Sequence, residues 1–322
     1  EEVAPKVLTA DVVKRAVSQL GRTYDGTSFA FVRLDVTNRE IEYLNDELAN
    51  YQHLRYLELG GNSFNSIEIL SKLPFVLRIN LKGNRVNSLG VFQTEEAFQF
   101  LQHLDLSGNQ VPSLVTLNLP RLLVLNLNQN AIKTCENFEG HATLTRLNLK
   151  GNQLKSLIGL KNMPSLVDLC IAENEVKSLV GLENLPALKR LHLRKNAIES
   201  FELTEDESLP DLPSLEYLNL TENKIAEVKG LKPLSTYSIL KNLNIKGTPL
   251  GEELGDSTKK EVLIVLPRLD VINKEEVTTE DREEAVGEAA ERHRIAEEAR
   301  LEAERLAREA EEAANQAGQD EE

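Results

Sequence analysis

Disulfides, membrane spans and bulky aromatic residues are scarce or missing in this chain. Its 322 residues include two cysteines, one methionine and no tryptophan, and aromatic residues make up only 5%. The two cysteines, Cys135 and Cys170, are too few for a disulfide framework. The sequence has no secretory hydrophobic region and no apolar run long enough to cross a bilayer. These absences predict a protein of a reducing intracellular compartment that does not span a membrane.

Residues suited to catalysis or metal binding are present, but their spacing fits neither role. The histidines are scattered along the chain: His53, His103, His141, His192 and His293. None has a second His or Cys at metal-ligand spacing. The short turns GGN and KGN are not followed by the G-K-[ST] of a phosphate-binding loop. We therefore expect a protein that is not an enzyme and that holds no metal and no cofactor.

The chain is instead dominated by a motif that reads L-x-x-L-x-L-x-x-N-x-L/I/V. Nine copies begin at Leu54, Val76, Leu101, Leu122, Leu144, Leu166, Leu188, Leu215 and Leu240, the last of them degenerate. The motif resembles the leucine-rich repeat, in which each unit supplies a short parallel strand and a return segment. One unit cannot bury its own apolar edge, so units must stack. We predict an α/β solenoid, a right-handed superhelix of about ten short parallel strands, the tenth supplied by residues 31–41.

One position of the motif is polar and nearly constant. In the copy at Leu144, the leucines alternate inward and Asn152 follows where the chain leaves the strand. An Asn side chain there can bond the backbone groups that lose their strand partners. The predicted structural ladder comprises Asn62, Asn84, Asn109, Asn130, Asn152, Asn174, Asn196 and Asn223. These residues are not expected to be catalytic.

The chain divides into four predicted pieces. Residues 1–30 form an N-terminal cap segment, in which the apolar spacing from Val12 to Leu20 predicts an amphipathic helix ending at Gly21. Leucine-rich repeats fill residues 31–250, including a long acidic insertion at residues 202–211. A C-terminal cap occupies residues 251–278, with a helix, a proline and an apolar pair that seal the stack. Residues 279–322 form an acidic Glu/Ala/Arg tail.

Most of the negative charge lies in that tail. From Glu275 to Glu322 there are 18 acidic residues against 6 arginines, within a chain whose net charge is −15. Glu–Arg pairs three or four residues apart favour a helix from about residue 280 to 316. Its best heptad seam is Ala299, Ala303, Leu306, Ala310 and Ala313. Two interpretations stay open: a solvated or partly disordered segment, or a coiled-coil-like helix that docks on a neighbour.

The outward strand positions should form the concave face, where a solenoid of this kind would bind its partner. Basic residues recur on alternate strands, and the candidates for protein binding are Arg78, Lys82, Arg146, Lys150, Arg190, His192, Arg194 and Lys246. The face is either an ordinary solvated surface or a groove that attracts an acidic protein segment. Nucleic acid is disfavoured, because Tyr56 and Tyr217 alone are expected to offer outward aromatic rings for base stacking.

The repeats, together with the terminal segment EVLIVLPRLDVINKEEVT from Glu261, carry a resemblance at the level of a group. They resemble the short-repeat, cap-terminated intracellular leucine-rich-repeat proteins. That group includes a phosphatase regulatory subunit, a spliceosomal RNA-associated protein, and axonemal dynein and radial-spoke proteins. The cap and the repeats do not separate these members, so the segment before the repeats must do so.

That leading segment, from Pro5 to Leu59, has a Leu-Thr helix start, a glycine, a strand of alternating apolar residues and an H-L-R-Y that enters the first repeat. It is similar to the start of the axonemal radial-spoke leucine-rich-repeat proteins, the family of leucine-rich repeat-containing protein twenty-three. The resemblance implies a structural component of the radial spoke, in the cytoskeleton of the motile cilium or flagellum, with other axonemal proteins as partners. The alternatives are a phosphatase regulatory subunit and an RNA-associated splicing module.

Overall fold

The described residues form one continuous sheet of thirteen strands that follow each other in chain order. The computed structural model describes residues 6–202 and 208–319, with side chains described up to residue 310. The strands are β1 Val17–Arg22, β2 Phe29–Asp35, β3 Tyr56–Glu58, β4 Arg78–Asn80, β5 His103–Asp105, β6 Val124–Asn126, β7 Arg146–Asn148, β8 Asp168–Cys170, β9 Arg190–His192, β10 Tyr217–Asn219, β11 Asn242–Asn244, β12 Val271–Ile272 and β13 Glu275–Glu276. Sequential order with no crossover is the topology expected of a solenoid.

Eleven of these strands, β2 to β12, run parallel, and the leucine-rich-repeat solenoid predicted from the motif is confirmed. The C-terminal cap adds one parallel strand to the expected ten. Each repeat strand has three residues, and its central apolar residue is buried while the flanking two face outward. Equivalent positions are in register, so Leu147 lies beside Leu169 and Leu169 beside Leu191. The core is therefore a set of continuous leucine rows.

The predicted asparagines lie buried at the end of each repeat strand and link neighbouring units. The Nδ2 of Asn152 donates to the carbonyl of Leu149 in its own repeat at 2.9 Å and to that of Leu127 in the preceding repeat at 3.0 Å. Its Oδ1 accepts from the amide of Ile132 at 3.0 Å. The same pattern recurs from Asn62 to Asn223, and each residue of the series is at least nine-tenths buried. A buried amide is tolerated here because all of its groups are bonded.

The N-terminal helix is shorter than the sequence indicated. Helix α1, Ala10–Ala16, begins at Thr9, whose hydroxyl accepts from the amide of Val12. The prediction of a helix up to Gly21 is wrong, because Val17 turns to an extended conformation and β1 pairs antiparallel with β2. Leu20, assigned by spacing to the apolar helix face, is 67% exposed instead. Backbone pairing in the hairpin replaces the helix that local spacing favoured.

At the C-terminal end, the ladder stops where Thr248 takes the place of the next asparagine. Thr248 is fully buried, and its Oγ1 accepts from the amide of Gly251 to cap helix α2, Pro249–Leu254. Helix α3, Thr258–Val265, follows and covers the end of the core through Val262 and Leu263. The strand pair β12 and β13 then closes the sheet.

The tail forms a long helix, α4, Thr279–Gln319, as predicted. Its first turns are attached to the cap: Ala285 is buried, and Arg282 donates to the carbonyl of Pro267 at 2.7 Å. Arg292 makes two bonds to Glu261 at 2.7 and 2.8 Å. From residue 293 to 310 every residue is exposed, and Ala313 of the predicted seam lies where side chains are not described. Residues 203–207 of the acidic insertion lie outside the described part. None of the described helices combines the length and apolarity needed to span a bilayer.

Candidate protein-interaction site

The parallel strands array their outward side chains in rows across the concave face. The first residue of each strand forms one row, in register from Tyr56 on β3 to Tyr217 on β10. The third residue of each strand forms a second row. The residue two positions after the end of each strand forms a third row, so the repeat of β4 contributes Arg78, Asn80 and Lys82 to the three rows. Neighbouring parallel strands lie about 4.8 Å apart, so residues of one row come within reach of each other.

The eight basic residues predicted for protein binding all lie in these rows. Arg78, Arg146 and Arg190 are in the first row, His192 is in the second, and Lys82, Lys150, Arg194 and Lys246 are in the third. All are exposed or half-buried. The structure thus brings them to one face but spreads them from β4 to β11, a surface suited to an extended contact rather than a compact pocket.

Four of the eight lie beside acidic neighbours. Arg190 Nε is 3.0 Å from Asp168 Oδ2, and His192 Nε2 is 3.5 Å from Asp168 Oδ1. Arg194 Nε donates to Glu222 at 2.9 Å and Lys150 Nζ lies 3.4 Å from Glu173. Bonding to Arg194 holds the pKa of Glu222 below its usual value. These pairs are partly exposed and contribute little stability, but the acids cancel the positive charges of Lys150, Arg190 and Arg194.

The remaining four, Arg78, Lys82, Arg146 and Lys246, make no ion pair within the described part of the chain. Three of them lie between β4 and β7, on the N-terminal and central strands. His103 lies between Arg78 and Arg146 in the first row. Burial and then the charges of these two arginines lower the pKa of His103. Asp105 on β5 is an acid on the same face that makes hydrogen bonds but no ion pair among the described residues. The three bases outnumber it, so the central face has a net positive charge that an acidic partner could neutralise.

The residue before each ladder asparagine supplies two of the carboxylates that pair with the concave bases. It has a positive φ in every repeat. It is Gly61, Gly83 and Gly108 in the first three repeats, Gln129 and Gly151 in the next two, Glu173, Lys195 and Glu222 in the three after these, and Gly247 in the last. Glu173 and Glu222 each reach back to a base of the preceding repeat, Lys150 and Arg194. Lys82 has Gly108 at the equivalent place and so has no carboxylate partner. Sequence reasoning missed these acids, whose signal is an acidic residue next to the ladder asparagine.

The arrangement of side chains gives little support for a metal site or a cysteine nucleophile. Across the residues that the structure describes, no three His, Cys, Asp or Glu side chains converge as metal ligands would. Burial raises the pKa of the Cys135 thiol to about 12, which leaves it without nucleophilic thiolate. Burial also raises the pKa of Cys170 on the concave face. What the geometry offers is a long, ordered surface for another macromolecule.

One protein-family model matches the repeat region. The family model described as "Leucine Rich repeat" matches residues 99–111. Among solved structures, a chain of the Drosophila melanogaster SNF/U2A′ complex aligns with 22% identity and a TM-score of 0.38, over 44% of this chain and 79% of that one. An internalin from Listeria monocytogenes aligns with 16% identity and a TM-score of 0.42, over 78% of this chain and 91% of the internalin.

Similarity to curated proteins extends well beyond the repeats. Leucine-rich repeat-containing protein 23 of Homo sapiens is 34% identical over 287 residues, which cover 88% of this chain and 80% of the human protein. Leucine-rich repeat-containing protein 23 of Bos taurus is 32% identical over 125 residues, 39% of this chain and 35% of the bovine protein. The match to the human protein, over 287 residues, is longer than the predicted repeat region of residues 31–250. It therefore includes capping segments as well as repeat units. The chain belongs to the leucine-rich repeat-containing protein 23 family.

Proposed function

We propose that this chain is a non-catalytic scaffold of the radial spoke in the axoneme of motile cilia or flagella, where it binds neighbouring spoke proteins and supports motility. The observation that carries the proposal is the 34% identity over 88% of the chain with a leucine-rich repeat-containing protein 23. The leading segment, Pro5 to Leu59, supports it, because that segment lies outside the general repeat pattern and resembles axonemal members.

The geometry suits a scaffold. Continuous leucine rows and the buried asparagine ladder hold each repeat rigidly against the next. Outward side chains are therefore presented in fixed positions before any partner arrives, so little conformational entropy is lost on binding. The unpaired charges of Arg78, Lys82 and Arg146 give the central concave face a preference for acidic protein segments.

The proposal is tested by following the tagged full-length protein in its own ciliated cells. We expect it in the detergent-insoluble axoneme, released at high salt together with spoke polypeptides identified by mass spectrometry. Release by detergent alone with a phosphatase catalytic subunit would favour a regulatory subunit. Recovery with spliceosomal proteins in the nucleus would favour a splicing module, and either result would replace the axonemal proposal.

The concave face is tested separately by reversing its unpaired charges. The triple variant Arg78→Glu, Lys82→Glu and Arg146→Glu should release the protein from axonemes at lower salt, with an unchanged circular dichroism spectrum. The matched control changes the exposed residues Lys72, Lys133 and Lys177 to Glu, which alters net charge equally but lies off the concave rows. Equal release of both variants would show that net charge, not this face, governs attachment.

A further inference from the structure

The N-terminal hairpin carries an unusual concentration of exposed aromatic side chains. Tyr24 is 70% exposed, Phe29 68% and Phe31 46%, and Leu20, the cross-strand neighbour of Phe31, is 67% exposed. Only 5% of the residues in this chain are aromatic, so the grouping on one hairpin is unusual. These exposed side chains do not pack in the core; the opposite face of β2 does so, through Val32 and Leu34. Exposed apolar patches of this kind mark interaction sites.

The exposed group continues along the rim of the sheet, where the residue three positions before the first residue of the strand is aromatic in three successive repeats: His53, Phe75 and Phe100. Tyr24 stacks on Phe75 with ring centroids 4.8 Å apart and an interplanar angle of 12°. Phe75 lies 6.0 Å from Phe100, and His53 lies 6.2 Å from Phe75. These residues line a cavity of about 180 Å³. That volume is below the usual size of a ligand pocket, so the cavity suits one inserted side chain rather than a cofactor.

Three arginines lie beside the aromatic rings of the hairpin and rim, and one acid, Asp25 of the hairpin turn, lies near His53. The Arg121 guanidinium lies 4.8 Å from the centre of the Phe100 ring, and that of Arg22 lies 5.9 Å from the centre of Phe29. Arg55 lines the cavity and donates to the carbonyl of Arg22 at 2.6 Å, which links the hairpin to the rim. Aromatic residues with arginine are the combination most enriched where protein interfaces hold their binding energy.

The backbone of the hairpin argues against addition of a further strand. β1 has β2 as its single neighbour in the described sheet, but Gln19 in its middle has a φ of +57°. Such a kink breaks the regular row of amide and carbonyl groups that an incoming strand needs. A partner would instead lie on the side chains, as an amphipathic helix does when its apolar stripe enters a groove.

From these observations we infer that the N-terminal rim, formed by Leu20, Tyr24, Phe29, Phe31, Phe75, Phe100 and the arginines Arg22, Arg55 and Arg121, is a docking site for an acidic amphipathic helix of a partner protein. One apolar side chain of that helix enters the cavity beside Phe75, and its acidic flanks face the arginines. The inference stands apart from the axonemal proposal, because it concerns a different surface and the purified protein is enough to test it.

The test is a selection with purified full-length protein. The probe is a displayed library of 18-residue helices with Glu and Ser on one face and randomised apolar residues on the other. A parallel library carries Lys in place of Glu. We expect binders from the acidic library, and enriched sequences are then made as fluorescent peptides for anisotropy measurements.

Two variants locate the binding. Arg22→Glu with Arg121→Glu reverses two exposed charges and removes their contacts with Phe29 and Phe100, and the fold is expected to persist because both side chains are exposed. Tyr24→Ser with Phe75→Ser removes the stacked rings. Each should weaken the selected peptides by about thirtyfold, the effect typical of interface hot spots. The control is Ile158→Ser, which removes a side chain 54% exposed outside the rim and should change affinity less than twofold.

Four outcomes would overturn the inference. These are equal enrichment from the basic library, selected peptides unaffected by both rim variants, and rim-dependent binding of the protein to phosphatidylserine vesicles, which would make the rim a membrane contact. The fourth is concentration-dependent self-association in sedimentation velocity that the rim variants abolish, which would assign the rim to the acidic α4 of a second copy. Loss of axonemal localisation would leave the inference standing, so the two proposals fail separately.

Discussion

The two halves of the sheet share one core but differ at two equivalent surface positions. Before the ladder asparagine, the first three repeats have glycine, whereas the sixth to eighth have Glu173, Lys195 and Glu222. Three residues before the strand, the early repeats have His53, Phe75, Phe100 and Arg121, whereas the later repeats have Thr143, Ser165, Ala187, Ser214 and, in the last, Ile239. In the later half, most of the concave bases are paired and most rim side chains are small, Lys246 and Ile239 being the exceptions. In the earlier half, Arg78 and Lys82 are unpaired and the rim is aromatic.

The difference shows which part of a repeat is free to specialise. Stacking fixes the inward leucines and the asparagine, because each must fit the unit on either side. The turn and rim residues contact neighbours only at their edges, so they can vary without loss of the fold. Two adjacent parts of one solenoid can thus have an inert surface and a binding surface.

The largest effect should be the same in both halves. Leu57→Ala on β3 and Leu191→Ala on β9 remove fully buried side chains from equivalent core positions. Each should lower the free energy of unfolding by about 2–5 kcal/mol, because the cavity cannot collapse in a stacked row. Urea denaturation followed by circular dichroism measures this. A loss confined to one half would show that the two cores are not equivalent.

The ladder should give the next largest effect, again in both halves. Asn84→Ala and Asn174→Ala each remove an amide that bonds two repeats. We expect a loss of about 1–3 kcal/mol for each buried backbone group left unpaired. Hydrogen exchange should show the amides of Phe64 and Leu154, which lose their acceptors, exchanging faster. Unchanged protection there would contradict a bonding role.

The turn residues should give effects of opposite sign. Gly83 has a φ of +65°, so Gly83→Ala should lower the free energy of unfolding by about 1 kcal/mol through backbone strain alone. Gln129 adopts a φ of +52° at the equivalent turn, so Gln129→Gly should raise stability by up to about 1 kcal/mol as that strain is relieved. Thermal melts compare the two, and shifts in the same direction would refute the strain argument.

The smallest effects concern the two concave histidines. Burial and then Arg78 and Arg146 lower the pKa of His103, so Arg78→Gln with Arg146→Gln should raise it. Burial also lowers the pKa of His192, but Asp168 opposes that shift, so Asp168→Asn should lower it further. Both groups have folded pKa values below the unfolded value of 6.5, so stability is complete above that pH and is lost as the pH falls through the folded pKa. NMR titration measures both pKa values. If the two variants shifted the pKa values of His103 and His192 in the same direction, the proposed difference in their charged neighbours would be disproved.

Much of the fold was predictable because it repeats. Each leucine and asparagine lies at a constant spacing, and the constraint that stacking imposes is visible nine times over. The ends were harder. The helix predicted to reach Gly21 stops at Ala16, because the edge of β2 offers hydrogen bonds that the local spacing does not reveal. In the last repeat the ladder position is occupied by Thr248, which caps helix α2. The spacing of the motif did not reveal that role either.

The candidate surfaces were predictable only in part. The positions of the basic residues on the concave face follow from strand alternation. Strand alternation does not predict which of these bases are paired with acids, because Arg194 pairs with an acid 28 residues further along the chain and Lys150 with one 23 residues further along. The aromatic rim joins Tyr24, from a turn before the repeats, to Phe75 and Phe100 in two different repeats. No local motif marks such a cluster.

By itself, the amino-acid sequence determined the stacked parallel strands, the buried rows and the acidic C-terminal helix, because these depend on spacing within one unit and on local helix-favouring pairs. The tertiary structure alone decided which charges stay unpaired and where aromatic rings meet. Those properties depend on distances between units, and such distances exist only once the repeats have stacked and the hairpin has closed the first edge of the sheet.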